Sequence, residues 1–162
     1  MTRKSPDGGR SALFAGSFNP FTVGHASVVE RALPLFDRII IAVGDNAAKP
    51  DERRPIAAIE DYCRRFPEGR VTVVRYSGEL TVDVARRLGA DCLLRGVRSV
   101  RDFEYERDLA DINRRIGGIE TVLIFSLPEH EAVSSSMVRE LQSYGHDVAQ
   151  FLPDVPLSQG ES

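Results

Sequence analysis

The sequence predicts a single α/β domain built on a doubly wound, five-stranded parallel sheet. Apolar, β-branched runs alternate with segments whose apolar residues recur at helical spacing. The run at residues 38–43 (RIIIAV) is almost continuously apolar, which is typical of a parallel strand covered on both faces. The length of 162 residues suits one domain. Sheets of this kind bind ligands beyond the carboxyl ends of their strands.

The predicted elements follow in the order β-α-β-α-β-α-β-α-β-α. The strands are expected at residues 12–15, 38–43, 71–75, 91–94 and 121–125. The helices are expected at residues 25–36, 55–66, 80–88, 101–116 and 134–144. Pro55 suits a first helical turn, and Gly89 suits a helix end. The domain is expected to span residues 11–153, with a loose leader at 1–10 and a frayed tail at 154–162.

Composition argues against several classes of protein. The formal net charge of -3 makes sequence-independent nucleic-acid binding a poor hypothesis, because such binding needs a basic face. The longest apolar run, at residues 39–43, falls far short of the roughly 20 residues of a membrane span. Cys63 and Cys92 are distant in sequence, which favours a reducing compartment and argues against a zinc site in the protein.

The segment at residues 16–25 (GSFNPFTVGH) follows the first strand and enters the first helix. Gly16 allows a sharp turn and a close ligand approach. Ser17 offers a hydroxyl, and His25 stands at a helix N-terminus, where anions are attracted. The alternative is an ordinary loop with a cap and one hydrogen-bonded histidine. The segment matches neither G-x-G-x-x-G nor the P-loop pattern.

Two further segments follow strands at the same predicted edge. Arg95 and Arg98 flank a glycine, and guanidinium groups suit phosphate oxygens; the alternative is a salt bridge with Asp102 or Glu104. A serine run at residues 134–136 opens the last helix. One of these serines is expected to cap that helix, and the run can also donate to the oxygens of a phosphate group.

Together these segments resemble a known family. GSFNPFTVGH is similar to the T/H-x-G-H motif of the nucleotidylyltransferase superfamily. R-G-V-R at 95–98 with D-F-E-Y-E at 102–106 resembles the bacterial phosphopantetheine adenylyltransferases. V-S-S-S at 133–136 and L-T-V-D at 80–83 fit the same family. The resemblance covers about residues 12–153.

The resemblance implies a Rossmann-like fold and transfer of the adenylyl group of ATP to 4'-phosphopantetheine, with His25 stabilising the transition state. It implies Mg²⁺ bound with ATP, a homohexamer and the bacterial cytoplasm. The ATP-binding residues that it implies are Ser17, Phe18, His25, Gly96, Val97, Arg98, Glu106, His130, Glu131, Ala132, Val133, Ser134, Ser135 and Ser136. The acceptor-binding residues that it implies are Ser17, Lys49, Thr81 and Arg95.

The sequence departs from the family pattern at three positions, and alternatives remain. Ser17 stands where the family usually has Thr, Asn19 where it has Asp, and Thr81 where it has a larger apolar residue. The first alternative is an adenylyltransferase acting on nicotinate mononucleotide. The others are a nucleotide-binding module without catalysis and a flavodoxin-like carrier.

Overall fold

The computed structural model describes residues 8–49 and 54–153 as a parallel five-stranded sheet with helices on both faces, which confirms the predicted fold class. The strands are β1 (Ser11–Gly16), β2 (Arg38–Asp45), β3 (Val71–Ser77), β4 (Cys92–Val97) and β5 (Glu120–Phe125). The helices are α1 (Val23–Ala32), α2 (Ala57–Cys63), α3 (Thr81–Leu88), α4 (Val100–Gly117) and α5 (Ser135–Ser143). Short 3₁₀ turns lie at Leu33–Leu35, Pro128–His130 and Ala149–Phe151.

The core has two layers because successive side chains of a strand point to opposite faces. On one face Phe14 of β1 packs with Val29 of α1 and Ile59 of α2. On the other face Leu13 of β1 packs with Val84 of α3. The central strand is therefore buried on both sides, as its apolar composition requires.

The strand order is β3-β2-β1-β4-β5. The chain moves from β1 outward through β2 and β3, and then returns to the other side of β1 for β4 and β5. Strand order thus reverses between β1 and β4, where the helices that follow the two strands diverge and leave a crevice at the carboxyl ends. The fold positions any ligand there.

Element boundaries differ from the sequence-based expectation at the site itself. Strand β4 continues to Val97, so Arg95 lies within the strand. The sequence had indicated that Arg95 follows the strand. Backbone pairing with Leu123 of β5 carries the strand past its last continuous apolar residue, and side-chain patterns do not report such pairing. Helix α1 begins at Val23, two residues earlier than predicted, because Thr22 caps it. Gly89 ends α3 with φ of 72°, as predicted.

The expected leader lies outside the described residues except for residues 8–10, and the expected frayed tail lies wholly outside them. Both remain predictions. Among the helices of residues 8–49 and 54–153, none is long and apolar enough to cross a bilayer.

Candidate active site

A cavity of about 470 Å³ opens at the carboxyl ends of β1 and β4. It brings together segments that are more than 100 residues apart in sequence. Eleven of the residues expected at the site line it. They are Ser17, Phe18, His25, Arg95, Gly96, Arg98, Glu106, Val133, Ser134, Ser135 and Ser136.

His25 is held by the cap of α1. The Thr22 hydroxyl accepts from the His25 N–H at 3.4 Å, and His25 Nδ1 accepts from the Thr22 N–H at 2.9 Å. These reciprocal bonds form a capping box in which histidine takes the place of the usual Glu or Gln. Because Nδ1 is the acceptor, the proton of the neutral ring sits on Nε2, which leaves one N–H donor on the ring for a ligand.

The His25 ring is neutral at physiological pH. Desolvation by burial lowers the pKa of His25 to about 4, with further lowering by the positive charges of Arg98 and Arg95. The rings of Phe18, Phe21 and Phe14 lie with centroids 5.0, 5.5 and 6.2 Å from the imidazole centroid. His25 is therefore a hydrogen-bond donor without a formal charge.

Gly16 is needed where the loop turns back under this aromatic cluster. A Cβ at Gly16 would lie 3.1 Å from Phe18 Cζ, tighter than ordinary van der Waals contact. Phe18 itself has φ of 44°, a conformation that is costly for a bulky side chain. Strained backbone of this kind clusters at functional sites, which agrees with the placement of the loop beside His25.

Arg95 spans the crevice between β4, β1 and α4. Its Nε donates to Glu106 Oε2 at 2.8 Å and its Nη2 to Glu106 Oε1 at 2.7 Å. Its Nη1 donates to the Ala15 carbonyl oxygen at 2.7 Å. Burial alone would lower the pKa of Arg95, but the hydrogen bonds and charge of Glu106 outweigh it and raise that pKa. Arg95 is a rigidly held cation.

Arg98 is held more loosely at the start of α4. Its Nε lies 3.6 Å from Asp102 Oδ2, and its side chain is 40% exposed. The salt-bridge alternative with Asp102 thus describes the ligand-free arrangement of Arg98, whereas the partner of Arg95 is Glu106. An exposed pair of this kind contributes little stability, so Arg98 can exchange Asp102 for a ligand at small cost.

Gly96, between the two arginines, makes room for α1. A Cβ there would lie 2.9 Å from Val28 Cγ2, closer than real Cβ contacts. The packing of α1 against β4 is therefore sufficient reason for a glycine at this position.

The three serines use their hydroxyls inside the protein. Ser134 is the N-cap of α5 and accepts from the Met137 N–H at 3.2 Å, which confirms the predicted cap. The Ser135 hydroxyl donates to the Pro20 carbonyl at 2.7 Å, and the Ser136 hydroxyl lies 3.2 Å from that of Ser134. All three serines line the cavity, which places the N-terminus of α5, with its N–H groups that lack intrahelical carbonyl acceptors, at that cavity.

Six residues expected at the site do not line the cavity. Val97 is buried in β4. The N–H of Lys49 donates to the Asn46 carbonyl in the loop after β2, and Thr81 is the first residue of α3. His130, Glu131 and Ala132 form the turn before α5. Their roles stay predictions.

The cavity also contains residues that the sequence interpretation did not assign. Arg139 of α5 lines it and donates to the Asn19 carbonyl at 2.6 Å. Its spacing of four residues from Ser135 places both on one helix face, a signal that could have revealed it. Thr22 could have been found as the cap position three residues before His25. The other unassigned lining residues are Phe14, Ala15, Gly16, Gly24, Val28, Asp102, Tyr105 and Ser126.

The part of the chain that the structure describes contains no group of three His, Cys, Asp or Glu side chains placed to hold a metal ion. Of the two carboxylates at the cavity, Glu106 is engaged by Arg95. A divalent cation at this site would therefore take most of its ligands from a bound nucleotide and water, which is usual for Mg²⁺.

Comparisons with known proteins agree with this geometry. The cytidylyltransferase-like family model matches residues 13–141. A phosphopantetheine adenylyltransferase of Porphyromonas gingivalis is 52% identical over 147 residues, covering 88% of this chain and 94% of the relative. A phosphopantetheine adenylyltransferase of Bacteroides thetaiotaomicron is 48% identical over 147 residues, covering 90% and 96%.

Similarity in fold extends further than similarity in sequence. A bifunctional NMN adenylyltransferase/ADP ribose pyrophosphatase from Francisella tularensis superposes with a TM-score of 0.63 at 14% identity, over 89% of this chain and 44% of that one. Such low identity supports the fold alone. The family model and the relatives at 48–52% identity show that the chain belongs to the phosphopantetheine adenylyltransferases, nucleotidyltransferases of the cytidylyltransferase-like family.

Proposed function

We propose that this protein transfers the adenylyl group of ATP to 4'-phosphopantetheine, giving dephospho-coenzyme A and pyrophosphate, a step of coenzyme A biosynthesis. The observation that carries the proposal is the convergence of three kinds of donor in one cavity. They are the neutral imidazole of His25, the guanidinium of Arg95 and the first turn of α5. All three suit phosphate oxygens.

The reaction needs positioning and charge neutralisation more than a base. The nucleophile is a phosphate oxygen of 4'-phosphopantetheine, which is ionised near neutral pH. It forms a bond to the α-phosphorus of ATP while the bond from that phosphorus to the β-phosphate bridging oxygen breaks, and pyrophosphate carries away the electron pair. No proton needs to be removed, and the low pKa of His25 suits a donor rather than a base.

Each donor has a proposed place in this transfer. The Nε2–H of His25 donates to an oxygen of the α-phosphate as charge shifts in the transition state. Arg95, fixed at the end of β4, holds the acceptor phosphate. Arg98 and the N–H groups of α5 hold the ATP phosphates, as oriented dipoles at a helix N-terminus can.

Mg²⁺ enters with ATP in this proposal. When bound, the ion neutralises phosphate charge and favours departure of pyrophosphate. The few carboxylates at the cavity fit a cation held mainly by ATP oxygens and water.

Self-association and location follow from the same family membership. We propose the homohexamer that the family resemblance implies. Ile112 and Ile116 of helix α4, 51% and 55% exposed, are the apolar surface that we assign to the contact. The free thiols of Cys63 and Cys92 suit the reducing bacterial cytoplasm.

A pyrophosphate-release assay tests the reaction. The purified protein is given ATP and Mg²⁺ with 4'-phosphopantetheine, nicotinate mononucleotide or no acceptor. Release of pyrophosphate is expected only when 4'-phosphopantetheine is the acceptor. Turnover with nicotinate mononucleotide but not with 4'-phosphopantetheine would reject the proposal, and nucleotide binding without any turnover would indicate a non-catalytic module.

A further inference from the structure

Glu106 is a charged side chain in an unusual place. It is only 5% exposed, and it shares the buried face of α4 with a polar residue, Asn113. Burying a carboxylate is costly unless the carboxylate is paired and hydrogen-bonded. Something at this position must therefore compensate the charge.

The compensation comes from Arg95. Both carboxylate oxygens of Glu106 accept from the guanidinium, at 2.8 and 2.7 Å, and the Ala15 carbonyl accepts a third bond. These bonds use three of the five N–H groups of Arg95 and fix the plane of the guanidinium. One N–H on each terminal nitrogen remains for a ligand.

We propose that Glu106 is a positioning residue that aims Arg95 at the acceptor phosphate. This inference rests on the proposed function, and it differs from the ATP contact that the family resemblance implies for Glu106. A guanidinium binds phosphate through a planar fork with directional N–H groups. Displacing an active-site group by about 1 Å can lower the rate about a hundredfold. The buried carboxylate of Glu106 can prevent such a displacement by fixing the orientation of the Arg95 guanidinium.

The geometry links the acceptor site to the catalytic loop. Ala15 immediately precedes Gly16, where β1 ends and the loop that leads to α1 and His25 begins. Through one guanidinium, the carboxylate of α4 therefore sets the position of Arg95 relative to the end of β1. A variant of Glu106 should then act on the acceptor side of the reaction and leave the ATP side little changed.

The test is a steady-state comparison of wild type with Glu106→Gln, which keeps the size of the side chain and removes its charge. The KM for 4'-phosphopantetheine is expected to rise about tenfold or more, while the KM for ATP stays within about twofold. Glu106→Asp, which keeps the charge on a shorter stem, should recover part of the loss. Glu104→Gln is the matched control, because it removes an exposed carboxylate from the same helix, and it should behave as wild type.

A double variant separates positioning from stability. Glu106→Gln leaves a buried cation without its charged partner, which can destabilise the fold. Arg95→Gln/Glu106→Gln removes both charges. Its KM for 4'-phosphopantetheine should match that of Arg95→Gln alone, because Glu106 has no role without Arg95. If Glu106→Gln does not fold, the comparison of the double variant with Arg95→Gln, together with Glu106→Asp, tests whether Glu106 positions Arg95.

Three results would overturn the inference. A rise in the KM for ATP alone would make Glu106 a nucleotide contact. A lower KM for 4'-phosphopantetheine in Glu106→Gln would show that the carboxylate only weakens the charge of Arg95. Additive losses in the double variant would separate the two residues. A wild-type protein that forms no product rejects the proposed reaction itself, a failure distinct from these three.

Discussion

At the scale of single residues, His25 shows how one local motif fixes a chemical role. A helix cap gives the ring its tautomer, and the surrounding aromatic side chains keep it neutral. The same ring stands beside two guanidinium groups, which also disfavour its protonation. The imidazole therefore acts as a neutral, oriented donor over the whole physiological pH range.

Replacing His25 by alanine should lower kcat by roughly 10²–10³, the usual cost of removing one preorganised donor. The fold should remain, although the variant loses a capping interaction. Stopped assays of product formation measure kcat, and circular dichroism checks the fold. His146→Ala is the matched control, because His146 is exposed and lies outside the cavity. Wild-type turnover in His25→Ala would show that His25 only caps helix α1.

The pKa of His25 also predicts a pH dependence of stability. In the unfolded chain this histidine binds a proton near its ordinary pKa of 6.5, whereas in the folded chain it does so only at about 4. Between these values the unfolded state binds more protons, so the free energy of unfolding falls as pH falls from about 6.5 to 4. The contribution is up to about 3 kcal/mol, present in full above pH 6.5.

Urea unfolding of wild type and His25→Asn at several pH values measures this contribution. The difference in unfolding free energy between the two proteins should shift by up to about 3 kcal/mol, against wild type, as pH is lowered from 7 to 4. All other residues are common to both proteins, so the difference isolates position 25. A difference that is constant with pH would mean that His25 titrates normally in the folded state.

At the scale of elements, the site depends on β4 and α4 acting as one unit. Arg95 lies inside β4 and is hydrogen-bonded to Glu106 of α4. Arg98 lies just before α4 and pairs weakly with Asp102. The guanidinium of Arg95 is therefore held in one orientation without a ligand. Arg98 is free to reorient.

This contrast predicts a division of labour between the arginines. Arg95→Ala should weaken 4'-phosphopantetheine binding by roughly ten- to a hundredfold and ATP binding far less, and Arg98→Ala should do the reverse. Calorimetry is the suitable measurement, because KM equals a dissociation constant only when chemistry is slow. Arg107→Ala, an exposed arginine further along α4, controls for loss of charge. Equal weakening of both ligands by both variants would mean that the arginines form one shared clamp.

The elements also show how far the sequence could be interpreted. The alternation of apolar and amphipathic segments was enough to predict five parallel strands and the edge of the sheet at which the cavity opens. The cap at Ser134 and the turn at Gly89 were predictable because they depend on local chemistry.

Contacts between distant segments could not be predicted in this way. The end of β4 depends on pairing with β5, and Gly96 is required by Val28 of α1. The salt-bridge alternative for the two arginines named Asp102 or Glu104, but Arg95 pairs with Glu106, which the rotation of α4 turns inward. Such choices are made by packing, which side-chain patterns within one segment do not encode.

At the scale of the whole molecule, helix α4 carries apolar side chains that a single chain does not bury. Its inward side buries Glu106 and Asn113. Beside it runs a short apolar stripe at helical spacing, namely Leu109, Ile112 and Ile116, of which the two isoleucines are exposed. A helix normally buries its apolar face, so we assign the proposed self-association to this stripe.

Ile112→Asp should therefore break self-association and leave the fold of the chain intact. The side chain is 51% exposed, so the change costs the isolated chain little, whereas a charge placed in an apolar contact without a partner is strongly unfavourable. Light scattering coupled to size exclusion should give a hexamer for wild type and a smaller species for the variant.

Leu35→Asp supplies the matched control, because Leu35 is 52% exposed and lies in the 3₁₀ turn after α1, outside helix α4. It should keep the wild-type mass. If Ile112→Asp also keeps that mass, then α4 is not the contact surface. If both variants dissociate, the loss reflects general destabilisation rather than a specific contact. Dissociation of Ile112→Asp alone would place the assembly contact on the exposed apolar stripe of α4, on a side of the helix next to the one that buries Glu106.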